Sequence, residues 1–194
     1  MMHTTESSDK IAGIDARFWL AAGIILIATL ARVMPHPPNF APVAAMALFG
    51  GAIFRSKWIA FAAPLAAMLL SDVVIELTMG WGFYDGQWIN YAAFILVTAI
   101  GLLLRSGISV GRVAGAAVGS SLLFFFVSNL GPFFYGGYEK SLSGLLLCYE
   151  MALPFLQMTM IGDLVYSAAL FGGFALMMRA FPQLGIRSMA PVSR

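Results

Sequence analysis

The sequence predicts an all-α membrane protein, a bundle of six transmembrane helices with one short additional helix at the outer interface. Three observations carry this expectation. Of the 194 residues, 60% are hydrophobic and only 10% are charged, against roughly 25% charged in an ordinary soluble domain. A chain so poor in charge cannot cover a soluble surface, so its outside must face lipid. The apolar residues also fall into stretches close to the roughly 20 that cross about 30 Å of hydrocarbon at about 1.5 Å per residue. Finally, the basic residues cluster at alternate connections, and cytoplasmic loops carry the excess of Lys and Arg.

Residues 18–34 form the first span. Lys10 and Arg17 precede it and Ala31 mimics a cleavage site, as in a signal peptide. Glu6, Asp9 and Asp15 in the leading segment, and the further apolar stretches that follow, favour a retained helix. Residues 39–54 are a short second span, 58–77 the third, 88–104 the fourth and 110–129 the fifth. The stretch 142–178 is divided by Pro154 and admits two readings. One crossing from about 158 to 178, after a short outer interfacial or re-entrant piece at 142–153, leaves the C-terminus in the cytoplasm. Two crossings would leave it outside. Charge decides for one crossing. Lys10 and Arg17, Arg55 and Lys57, Arg105 and Arg112, and Arg179, Arg187 and Arg194 all fall on one side. The chain therefore divides into a cytoplasmic tail at 1–17, a bundle at 18–179 and a second cytoplasmic tail at 180–194.

Gly111, Gly115 and Gly119 recur every four residues, a face that lets another helix approach closely. Ala62/Ala66 and Ala63/Ala67 repeat the pattern in the third span. The word Ala-Leu-Phe-Gly-Gly occurs at 47–51 and again at 169–173, which fits either an internal repeat or coincidence among common residues.

The outer connections differ from the plain inner ones. The first, at 35–42, holds Pro35, Pro37, Pro38 and Pro42 and is stiff and non-helical. The second, at 80–88, and the third, at 129–138, combine glycines with Trp81, Tyr84, Trp88, Tyr135 and Tyr138. Interfacial belts use Trp and Tyr on both faces, whereas here the tyrosines crowd one face. Stiff loops bearing aromatics suit a lid over an apolar pocket with a few polar handles. Within the spans, Asp72 and Glu76 share a helix face and Asp163 lies in the last span. Carboxylates in hydrocarbon are costly and are functional candidates by default. Arg32, at the outer end of the first span, is the evident charge partner, so a purely structural ion pair is the competing reading. The candidate substrate-binding residues are Asn39, Asp72, Trp81, Tyr84, Asn129, Tyr135 and Asp163.

Other classes find less support. A net charge of +2 without a basic run gives nothing for nucleic acid to bind. The lone Cys148 excludes an intramolecular disulfide and a multi-thiolate metal centre. His36 has no second ligand nearby, so no metal and no cofactor are expected. The pair Gly162-Asp163 matches part of the Gly-x-Gly-Asp of intramembrane aspartyl proteases, with Asp72 as a second acid, but Met160 stands where the first glycine belongs.

The block from Pro35 to Gly51, with Pro64 to Asp72 and Gly162-Asp163-Leu164 before Phe171-Gly172-Gly173, resembles the signature of an uncharacterised family of bacterial multi-pass membrane proteins. That family is similar to the substrate-binding S components of energy-coupling-factor vitamin transporters. The resemblance implies a six-helix bundle with a vitamin-sized ligand under the outer loops. It also implies a transmembrane coupling subunit with two ATPases as partner. An Ala-x-x-x-Ala docking face on the first helix would be expected, but Ala12/Ala16, the nearest such pair, precedes the span. The expected activity is non-enzymatic capture of a small solute at the outer face of a bacterial inner membrane, with Asp72→Asn weakening binding without loss of folding. A membrane scaffold using the glycine face is the alternative.

Overall fold

The computed structural model describes residues 16–182. The tails expected at 1–17 and 180–194 lie almost wholly outside them. Among the described residues there are seven α-helices and no strand: α1 (Ala16–Val33), α2 (Val43–Ile53), α3 (Lys57–Met79), α4 (Gln87–Leu103), α5 (Val110–Ser128), α6 (Leu130–Tyr135) and α7 (Leu142–Ala180). A 3₁₀ turn, Leu104–Ser106, ends α4. Four segments are long and apolar enough to cross a membrane: Lys57–Met79, Gln87–Ser106, Val110–Tyr135 and Leu142–Ala180.

The bundle is built around a short helix, α2. It has 11 residues, so it rises only about 16 Å. Every residue from Ala44 to Ile53 is buried. A helix apolar on all sides belongs inside, and α2 packs against α1, α3, α4, α5 and α7. The second span expected at 39–54 is therefore a central core helix entered through a stiff proline-rich segment. Its two glycines set the closeness of packing. A Cβ on Gly50 would lie 2.3 Å from the Pro64 ring of α3, and one on Gly51 would lie 2.3 Å from the Thr98 carbonyl oxygen of α4. Gly51→Leu should thus drive α2 and α4 apart. The expected cost is about 1–3 kcal/mol, an overpacking penalty, read as a lower unfolding midpoint in detergent. Gly115→Ala, where nothing lies within 4 Å of the added atom, should leave the midpoint unchanged or slightly raised.

The ends of so short and so buried a helix are a problem of their own. Its first N–H and last C=O groups have no partners within the helix, and no water reaches them in a dry interior. Pro42, before the first turn, makes no side-chain cap. Asp163 of α7 fills that role: its carboxylate accepts from the Ala45 N–H and from Ser121 Oγ of α5 at 2.7 Å. At the other end Arg105 donates to the carbonyls of Gly51 at 2.8 Å, Arg55 at 3.2 Å, and Phe54. A carboxylate at the N-terminus and a guanidinium at the C-terminus both complement the helix dipole.

The stretch 142–178 resolves as one continuous helix. Its 39 residues span about 58 Å, with Pro154 accommodated inside it. Leu142–Leu153 is thus not a separate interfacial piece but the N-terminal part of α7, and two antiparallel helices over this stretch are excluded. Of the repeated pentapeptides, only the first uses its glycines for packing; Gly172 and Gly173 have nothing within 4 Å. The two phenylalanines nevertheless meet, with the Phe49 and Phe171 rings 5.2 Å apart.

Gly111, Gly115 and Gly119 do not serve packing among the described residues. All three are exposed on α5, and no atom lies within 4 Å of a Cβ built on any of them.

Candidate functional site

The C-terminal ends of α3 and α5 and the N-terminal end of α4 converge with α6 on one cluster of polar side chains. At its base lies Asp72, fully buried on α3. Its Oδ1 is 2.5 Å from Arg32 Nη1. Its Oδ2 accepts from Gln87 Nε2 at 2.8 Å and from the Tyr91 hydroxyl at 2.5 Å. Arg32 also donates to Ser71 Oγ, and Gln87 to the Gly82 carbonyl at 2.9 Å. A buried ion pair is tolerated only when further hydrogen bonds occupy the remaining lone pairs and protons, and Gln87, Tyr91 and Ser71 do so here. The network ties α1, α3 and the first turn of α4 together. Asp72 is thus neutralised inside the protein, and the structural reading of this pair fits the geometry.

Above this base is a cleft of about 300 Å³, lined by Tyr84, Asp85, Gly86, Asn90, Ser128 and Tyr135 with the start of α6. Its two aromatic walls are held by polar ties. The Tyr84 hydroxyl accepts from Asn90 Nδ2. The Tyr135 hydroxyl accepts from Trp88 Nε1 at 3.4 Å. Gly86 makes this fit possible twice over. Its φ of +80° is a left-handed conformation suited to glycine. A Cβ there would also lie 2.5 Å from the Tyr135 ring. Burial raises the pKa of the Tyr84 phenol and the nearby Asp72 charge adds to this, against the opposing hydrogen bond from Asn90.

The seven expected substrate-binding residues do not form one pocket. Tyr84 and Tyr135 line the cleft, and Asp72 lies in the network beneath it. Asn129 is next to the lining Ser128, but its Nδ2 donates to the Phe125 carbonyl at 2.7 Å and finishes α5. Trp81 is exposed on the second outer connection and Asn39 on the first. Asp163 caps α2. The two buried acids have separate partner sets, with no shared hydrogen bond among the described residues. Sequence reasoning passed over Asp85, Asn90 and Gln87. The signal was present: Gln87, Asn90 and Tyr91 put polar groups on the first turn of an otherwise apolar helix, spaced to share a face.

No curated protein and no solved structure matches the chain. A family model does, over residues 13–184, and its description is a family of unknown function. With nearly the whole bundle matched, the chain belongs to that family, DUF6580.

Proposed function

We propose that this protein is a solute-binding membrane subunit, non-enzymatic, that captures a small molecule in the outer cleft. The observation that carries the reading is the cleft itself. It is concave, aromatic-walled and furnished with a few polar groups, as small-molecule sites are. It also stands on a base tied by the Arg32–Asp72 ion pair and by hydrogen bonds from Gln87 and Tyr91, which favours preorganisation. In this reading the bundle crosses a bacterial inner membrane six times with both termini in the cytoplasm, and the cleft opens outward. Arg55, Lys57, Arg105 and Arg112 at the opposite end support that orientation. A transmembrane coupling subunit with ATPases, as in the vitamin transporters that the sequence resembles, would then move the solute.

The test is mass spectrometry of small molecules retained by protein purified gently from its own membrane. A stoichiometric metabolite is expected, reduced at least tenfold in Tyr135→Ala. ATPase chains in the same preparation would establish the transporter class.

A scaffold role is the second reading, and the open glycine face on α5 favours it. It expects Gly115→Leu to dissolve a protein complex while changes at Tyr84 and Tyr135 do nothing. A reproducible protein partner with no retained metabolite would replace solute capture by this reading.

A further inference from the structure

We infer that the outer cleft selects a small organic cation bearing an ammonium group, an inference that rests on the solute-binding reading above. Four features of the charge layout point there. Of the acids near the outer end, Asp72 is already neutralised by Arg32. Asp85 lines the cleft and has no hydrogen bond or ion pair among the described residues. It is therefore the negative charge left for a ligand. The two aromatic walls, Tyr84 and Tyr135, offer ring faces, and an ammonium within about 6 Å of such a face is attracted by the ring quadrupole. The polar ties described above point the phenol oxygens at Asn90 and Trp88, which leaves the rings as walls.

Anions meet the opposite situation. Lys140 is the one cation on the loop before α7, and its Nζ is engaged by the carbonyls of Phe133 and Tyr138, 5.1 Å from the Phe133 ring. Arg32 is enclosed by Asp72, Ser71 and the Met68 carbonyl. Glu76, Glu139 and Glu150 are exposed at the same end of the bundle and add negative potential, which draws cations towards the mouth. A cleft of about 300 Å³ is at the small end of ligand pockets, so the ligand is compact.

The experiment is calorimetric titration of the full chain in nanodiscs of phosphatidylglycerol. The probes are choline, its uncharged isostere dimethylbutanol, and benzoate. Choline is expected to bind at least tenfold more tightly than either other probe. Asp85→Asn should weaken it about tenfold, and Tyr135→Ala comparably, with unfolding midpoints unchanged. Asp85→Glu, which keeps the charge, should retain most of the affinity. Dimethylbutanol or benzoate binding as well as choline, and lost in Tyr135→Ala, would overturn cation selection while leaving solute capture intact. Binding by none of the three would overturn both. Repeating the choline titration in phosphatidylcholine nanodiscs assigns the source of the ammonium. An unchanged Kd supports a free solute, and a raised one supports a lipid headgroup as the natural occupant.

Discussion

Arg105→Ala is expected to destabilise the bundle by about 3 kcal/mol. Three carbonyls from the end of α2 and the turn after it, those of Gly51, Phe54 and Arg55, accept from this one guanidinium. Hydrogen bonds to a charged group are worth about 1.5–3 kcal/mol each, but they do not add. Loss of the fork leaves the carbonyls of the buried Gly51 and Phe54 without this donor. Arg105→Lys keeps the charge but not the fork geometry, so it should recover only part of the loss. The measurement is the unfolding midpoint in mixed detergent under an increasing mole fraction of dodecyl sulfate. Arg112→Ala is the control. Arg112 donates to Gly107, Leu103 and Ser106 within its own exposed turn, and its removal should cost under about 1 kcal/mol.

The second large effect is at the base of the cleft. Asp72→Leu leaves Arg32 without its counter-ion and removes the acceptor of Gln87 and Tyr91. Breaking one side of a buried pair costs about 3–5 kcal/mol. Replacing both ions, Arg32→Met with Asp72→Leu, should cost at least about 2 kcal/mol less than Asp72→Leu alone, because no charge is then left unpaired. Full additivity of the two changes would mean that the pair contributes nothing as a pair. Asp72→Asn sits between these cases, and its effect on ligand binding should follow its effect on folding. The network positions the first turn of α4, and with it the cleft wall, without itself facing the ligand.

Much of this architecture is legible in the sequence because lipid imposes simple rules. Low charge, span-length apolar runs and alternating basic residues lead to the helical bundle. The alternation favours one crossing for the last stretch, and α7 is one continuous helix there, with the short piece expected at 142–153 merged into it. Composition is silent on which apolar helix sits in the middle, and α2 looks like a short span until its neighbours surround it. Its Gly50 and Gly51 gain meaning only from Pro64 and Thr98, which come from two other helices.

The acids illustrate the same limit. A carboxylate in an apolar run advertises that it must be compensated, but not by what. Arg32 was recognisable as a counter-charge from its place at the end of the first span, but whether Asp72 or Asp163 would take it was open until the structure paired it with Asp72. The role of Asp163 was not recognisable, because it depends on the end of a helix more than a hundred residues earlier in the chain. The glycine stripe on α5 shows the converse: a regular pattern can be real and yet face nothing within its own chain. At the outer face, the crowding of tyrosines located the cleft, and Tyr84 and Tyr135 are its walls. Asp85 escaped notice because a single polar residue beside a glycine is common in any loop, and Asn90 because one amide on an otherwise apolar helix turn names no partner.

The outward-opening, solute-binding cleft is tested most directly by labelling from the cell exterior. Ser128→Cys places a thiol in the cleft wall, in a Cys148→Ser background that removes the native thiol. The account expects a membrane-impermeant maleimide to reach this thiol from outside intact cells. The low-molecular-mass fraction of a cell extract should slow that labelling, and Tyr135→Ala should abolish the protection. Labelling only after the cytoplasmic face is opened, or a rate indifferent to the extract, would contradict it.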